Sequence, residues 1–273
     1  MARSAAESAA PRRARSRGRF SLRAWAALLG LFLLLVGAWM LIPYGSDDDD
    51  VAGADANHAL PTIVIDAGHG GHDNGAVRNG LREKELTLDT ALRLEKKLRA
   101  LGFPVVMTRR DDRFLELQDR CKVANRIPRA IFVSIHFNDN VSAVGDGVET
   151  YYAAEKVAPA TEGWSAVGWF KQKPEPAPAD NGLGLAHSVQ SSVVSGLRAV
   201  DRGVKQARFA VIRHTRCAAV LVEGGFINNP AQARAIGKPD YREKLAAAIA
   251  EGVSAYQRQR VLESQKPNLA QAI

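Results

Sequence analysis

The chain has 273 residues, 46% of them hydrophobic and 24% charged, the make-up of a folded protein with room for one large domain plus extras or two small ones. Two cysteines are too few for a disulfide framework or a cysteine-only zinc site. The formal net charge of +8 invites a nucleic-acid reading, but no Arg/Lys stripe interleaved with aromatics is present, so nucleic acid is set aside; a diffuse positive surface suits any anionic polymer.

Residues 1–23 form a basic tail, with seven Arg against Glu7. Residues 24–42, AWAALLGLFLLLVGAWMLI, follow without a single charge. At about 1.5 Å per residue this run spans roughly 28 Å as a helix, close to the hydrocarbon thickness of about 30 Å. Arg12, Arg13, Arg15, Arg17, Arg19 and Arg23 precede it and Asp47 to Asp50 follow it. The positive-inside rule then places the N-terminus in the cytoplasm and the rest on the extracytoplasmic side of a single-pass membrane anchor. A cleaved signal peptide and a buried core helix are the alternatives, but the apolar region of a signal is usually about 7–15 residues. The A-x-A-like site at Ala52 to Ala54 lies beyond the Asp run. Residues 43–60 are small and polar, without periodicity, and read as a linker.

From residue 61 to about 260 the pattern is one of alternating strands and helices, with 261–273 as a tail. TIVID, 62–66, is a short buried strand. KELTLDTALRLEKKLRAL, 84–101, carries apolar residues at helical spacing and stops at Gly102. FPVVMTR, 103–109, is a strand; 116–126 a helix; AIFVSIH, 130–136, and GVETYYA, 147–153, strands. Residues 183–199 read as a helix, RFAVIR (208–213) and AAVLVE (218–223) as strands, and 230–237 and 239–258 as closing helices. This alternation predicts an α/β fold: a single-domain, twisted, mostly parallel sheet flanked by helices, preceded by one transmembrane helix. Residues 154–182 break the pattern with Pro159, Pro174, Pro176, Pro178, Trp164 and Trp169, and read as an irregular insert serving as a lid or a partner site.

Three apolar strands end in ionisable residues. TIVID runs into His69, IFVSI into His136, and AVLV into Glu223 before Gly224 and Gly225. The carboxyl ends of strands form the ligand crevice of open α/β sheets. A further carboxylate, Glu83, stands at the start of the first helix, with Glu85 as a competitor two positions on. Two His and two Glu at one edge match a catalytic zinc site: two imidazoles, one carboxylate ligand, an open water position and a free carboxylate as base. His72 is the one other His near enough to intrude. Glu83 alone could be a carboxylate favoured by a helix N-terminus. Glu223 is harder to dismiss, because a charge ending an apolar strand is costly unless paired or functional. Cys121 and Cys217 have no CxxC or His companion and read as small hydrophobes.

The runs IVIDAGHGGHDNGAV (63–77), REKELTL (82–88), SIHFN (134–138), GVETYY (147–152) and VLVEGGFINN (220–229) resemble the N-acetylmuramoyl-L-alanine amidases of the amidase-3 type. TRRDDRFLELQDRCKVAN (108–125) and DRGVKQARFAVIR (201–213) add to the resemblance, which covers about 60–265 in family order. It implies one Zn2+ and hydrolysis of the amide between the lactyl group of muramic acid and L-alanine in peptidoglycan. Carried over by motif, the zinc ligands are His69, Glu83 and His136, with Glu223 as general base. The family has Glu before Lys at the ligand position, which selects Glu83. Asp66, Asn138 and Arg213 are substrate or supporting candidates. Phe137 stands where the family usually has Ala. Some relatives carry an occluding helix near 154–182 that an activator protein displaces; the prolines argue against a long helix here. The rival readings are a membrane-tethered module that binds peptidoglycan without cutting it, and a zinc hydrolase acting on another wall bond.

Overall fold

A computed structural model describes residues 60–139, 145–153 and 182–270. The anchor over 24–42, the linker up to residue 59 and the insert over 154–181 lie outside the described residues, as does 271–273.

The chain runs β1 (Thr62–Ala67), β2 (Val77–Arg78), β3 (Leu81–Arg82), α1 (Glu83–Ala100), β4 (Val105–Met107), α2 (Leu117–Asn125), β5 (Ala130–Asn138) and β6 (Val148–Ala153). It continues with α3 (Leu183–Leu197), β7 (Asp201–Ala207), α4 (Ala210–Arg213), β8 (Ala218–Phe226), α5 (Pro230–Ile236) and α6 (Pro239–Ala270). Six strands form one sheet in the order β4-β1-β5-β8-β6-β7. β4, β1, β5 and β8 are mutually parallel, and β6 joins β8 antiparallel. β7 lies parallel to β6 at the far edge. This is the mostly parallel α/β sheet that the strand–helix alternation predicts.

The two-residue period of the strands divides the interior. Ile63, Ile65, Ile131, Val133, Ile135, Val220 and Val222 face one side, where Leu94, Leu98, Val189, Leu245, Ile249 and Val253 of α1, α3 and α6 cover them. Val64, Phe132, Ala219 and Leu221 face the other, covered by Cys121 and Ala124 of α2 and by Val211 and Ile212 of α4. Among the described residues, the second side therefore has only a nine-residue and a four-residue helix over it. Neither cysteine is in a disulfide, and both belong to this thinner layer.

Two local readings change. The expected strand over 208–213 is instead a helical turn, α4, and the strand lies just before it at 201–207. The reason is position. Among the described residues DRGVKQA pairs only with β6, and as an edge strand it can be polar, with Arg202 and Lys205 partly in solvent. Val211 and Ile212 are buried by coiling against Cys121, whose Sγ is 3.4 Å from the Val211 carbonyl. The second change is the β2–β3 hairpin. It turns on Asn79 and Gly80, with φ of 51° and 75°, the positive pair that a tight two-residue turn requires. Asn79 Nδ2 donates to the Ile227 carbonyl at 2.7 Å and ties the hairpin to the end of β8.

Candidate metal centre

His69, Glu83 and His136 come together at the carboxyl ends of β1 and β5. One ligand atom from each lies within 4.8 Å of the others. His69 Nε2 is 3.1 Å and His136 Nδ1 2.9 Å from the same oxygen, Glu83 Oε1. The two imidazoles meet edge to face, with ring centroids 4.9 Å apart.

Each side chain is placed by its element. His69 follows β1 with φ of 61°, and Gly70 and Gly71 are also positive, at 129° and 60°. Three successive residues in this region reverse the chain over the strand end, which two glycines permit. His69 Nδ1 is 2.8 Å from Asp73 Oδ2. With Nδ1–H donated to Asp73, Nε2 is the lone-pair nitrogen aimed at the cluster. Glu83 opens α1, whose first amides are taken by loop carbonyls: Glu83 N donates to Ala76 O and Lys84 N to Asn74 O. The Glu83 carboxylate turns back to accept from Ala76 N at 2.9 Å and Phe137 N at 3.1 Å. Glu85 points away and pairs with Arg82 at the surface. His136 lies on β5 in register with Glu223 of β8. Register partners share a face, so both project to the thinly covered side.

Glu223 is also in register with Glu149 of β6. Its Oε2 is buried and has no hydrogen-bond partner among the described residues. Burial, then the charges of Glu83 and Glu149, push its carboxyl well above the ordinary glutamate range. Glu149 itself is fully partnered. It accepts from Asn138 Nδ2 at 2.8 Å, Tyr151 Oη at 2.7 Å, Arg202 Nε at 2.8 Å and Lys205 Nζ. Burial works to raise its carboxyl, but Lys205, Tyr151 and Arg202 hold it below the usual range. Burial likewise acts upward on Glu83, and the two imidazoles outweigh it, leaving the carboxyl depressed. For His69 burial acts downward, and Glu83 and Asp73 outweigh it, raising the imidazole.

The donor set fits a zinc ion. Two imidazole nitrogens and one carboxylate oxygen converge, and Glu223 beside them has one buried, unpartnered carboxylate oxygen, a state that a nearby cation would relieve.

The other sequence candidates are placed elsewhere or act indirectly. Asp66 is buried in β1 and accepts from Thr108, Ser134 and Arg120 at 2.7–2.9 Å, a saturated structural carboxylate. Asn138 touches Glu149. Arg213 ends α4, and no contact joins it to the cluster among the described residues. His72 stacks on Phe114. Sequence reasoning passes over Asp73 and Glu149. Asp73, four residues after His69 in a glycine-rich loop, has a usable spacing, whereas nothing in the strand pattern singles out Glu149.

The chain matches the amidase-3 family, described as N-acetylmuramoyl-L-alanine amidase, over residues 63–255. It is 38% identical over 195 residues to YqiI of Bacillus subtilis (strain 168), itself uncharacterized, covering 71% of this chain and 84% of that protein. It is 38% identical over 197 residues to the N-acetylmuramoyl-L-alanine amidase LytC of the same organism; 72% of this chain aligns, spanning only 36% of LytC. Among solved structures, the N-acetylmuramoyl-L-alanine amidase from Clostridium difficile 630 is similar with a TM-score of 0.63 and 32% identity, over 73% of this chain and 97% of that one.

Proposed function

The chain belongs to the amidase-3 family of N-acetylmuramoyl-L-alanine amidases, and from that premise we propose that it hydrolyses the amide between the lactyl group of muramic acid and L-alanine in peptidoglycan. His69, Glu83 and His136 are the zinc ligands in this reading, and Glu223 is the general base. The observation that carries it is the convergence of the three ligand atoms beside Glu223, one of whose carboxylate oxygens is buried and unpartnered.

A zinc ion held there supplies Lewis acidity, lowering the pKa of water and polarising the amide carbonyl. The chain's own groups do the rest. Glu223 accepts the proton of the attacking water and returns it to the nitrogen as the carbon–nitrogen bond breaks. Asp73 fixes the His69 tautomer. Lys205 and Arg202 pair with Glu149 and offset part of its charge beside Glu223.

Incubating the full chain with muropeptides tests this reading. Mass spectrometry should show free stem peptide with an L-alanine N-terminus and an intact lactyl carboxylate on the glycan. His136→Ala and Glu83→Ala should lose stoichiometric zinc and Glu85→Ala should keep it. Cleavage at any other bond, or binding without cleavage by the zinc-loaded chain, overturns the proposal.

A further inference from the structure

Beneath the His69 loop lie two arginines that the proposed chemistry does not use. Arg109 is fully buried and Arg120 nearly so. Arg109 Nε donates to Ala67 O at 2.9 Å, and its terminal nitrogens donate to Gly68 O at 2.7 Å, Lys84 O at 2.9 Å, Thr87 Oγ1 at 3.0 Å and Asp111 O at 3.0 Å. Arg120 donates to Ala67 O at 2.7 Å and to His69 O at 2.8 Å, while also pairing with Asp66. A third cation, Lys84, next to Glu83 in sequence, donates from Nζ to Gly71 O at 2.6 Å and pairs with Asp112, whose other oxygen takes Gly71 N. The carbonyls of residues 67, 68, 69 and 71 are thus each held by a buried or half-buried cation.

We infer that Arg109 and Arg120, with Lys84, are positioning residues that hold the loop from Ala67 to Gly71 in its positive-φ course and so preorganise His69 against Glu83. The inference rests on the zinc reading for its purpose and on the hydrogen bonds alone for its mechanics. A non-glycine residue at φ of 61° persists where its surroundings over-determine it, and a carbonyl drawn inward at four positions does that. Arg109 also joins the loop to α1, since one terminal nitrogen reaches Gly68 O, Lys84 O and Thr87 Oγ1 together. One guanidinium therefore sets the distance between the two segments that carry His69 and Glu83. Only arginine has enough donors in a fixed fork for these contacts; lysine supplies the charge without the fork.

The test uses the full chain and the conservative variants Arg109→Lys and Arg120→Lys, with Lys84→Gln as a milder third that removes only the Gly71 and Asp112 contacts. Arg110→Ala serves as control, because it breaks the ion pair with Glu95 without touching the loop. Hydrogen exchange of the metal-free protein is read over residues 68–76, where Gly70 N, Gly71 N and Gly75 N are hydrogen-bonded. The arginine variants should speed exchange there by about tenfold or more while β5 stays protected. Their zinc affinity, by chelator competition, should fall about 10–100-fold. The control should change neither. Lys84→Gln should move both readouts in the same direction by less, and does so whether or not the arginine variants fold. Unchanged loop exchange overturns the inference, as does faster exchange spread evenly over the domain. If the unsubstituted chain takes up no zinc, the metal reading falls, and loop exchange still decides the role of the arginines.

Discussion

Glu223 sits at the end of an apolar strand with one carboxylate oxygen buried and unpartnered, next to two other carboxylates. Its protonated form is therefore favoured in the metal-free fold. Because its folded pKa lies above that of an unfolded glutamate, about 4.3, it stabilises the fold below that pH, and this contribution is lost as pH rises through the folded value. Glu223→Gln mimics the protonated form. In chelated protein it should unfold at higher denaturant than the unsubstituted chain at pH 7, and the gap should close towards pH 4. With zinc present the same variant should keep the metal and lose about 10²–10⁴-fold in turnover, the usual contribution of general acid–base catalysis. Lost zinc would make Glu223 a ligand, and near-normal turnover would put the base elsewhere. Asp73 makes a second expectation. The raised His69 imidazole must shed its proton before it binds metal, so zinc affinity should fall as pH drops through that raised pKa. Asp73→Asn keeps the size and removes the charge, and should weaken zinc about 10–100-fold at neutral pH. Equal affinity in the two proteins would show that Asp73 only shapes the loop. His136 and Glu223 were legible in the sequence because each ends an apolar run, where a charge is expensive, and His69 because it follows one in a glycine-rich turn. The choice of Glu83 over Glu85 came from the family motif, because from the residues alone it depends on which carboxylate folds back onto Ala76 N and Phe137 N. The arginines were hidden for a related reason: a buried guanidinium and an exposed one look alike until their carbonyl partners are in place.

At the level of elements, the site depends on how closely the β1 end approaches the β5 end. A Cβ added at Gly68 would lie 2.4 Å from both Cε1 and Nε2 of the His136 ring. Gly68 does not have a positive φ, so the cost of a side chain there is steric alone. Gly68→Ala should push the His136 ring out of the cluster, abolishing stoichiometric zinc while leaving the circular dichroism of the α/β domain unchanged. Retained zinc would mean that the strand ends can spread, and the tight approach would then carry no function. The same elements show what a hydrophobic pattern can and cannot specify. β1, β5 and β8 and the helices over 83–100 and 183–197 follow from runs buried on both faces or on one stripe. β7 does not, because an edge strand pairing on one side needs no apolar residues. The apolar triplet Ala210–Ile212 then draws the strand assignment to the wrong six residues. The hairpin had its signal in Asn79–Gly80, but strands of two residues fall below the length at which alternation can be recognised.

For the molecule as a whole, the remaining question is how the catalytic domain meets an insoluble polymer. Among the described residues, no helix is long and apolar enough to cross a membrane, and α6, though 32 residues long, carries charges throughout. We propose that residues 24–42, uncharged, with an arginine-rich tail before and four successive aspartates after, attach the chain to the membrane. A polymer with anionic stem peptides lies on the side to which the positive-inside rule sends the domain, and the net positive charge of the chain suits it. The expected outcome is a chain that stays with the membrane fraction in high salt and alkaline carbonate. Deleting residues 1–43 should release it while leaving turnover on soluble muropeptides unchanged. Protease added to spheroplasts should digest residues 60–273 and leave the basic tail protected. A mature N-terminus near Ala54 would instead mark residues 24–42 as a cleaved signal, the domain still exported but free to diffuse. Protection of the whole chain from external protease would put the domain on the side without substrate, and that result would overturn the proposed function along with the anchor.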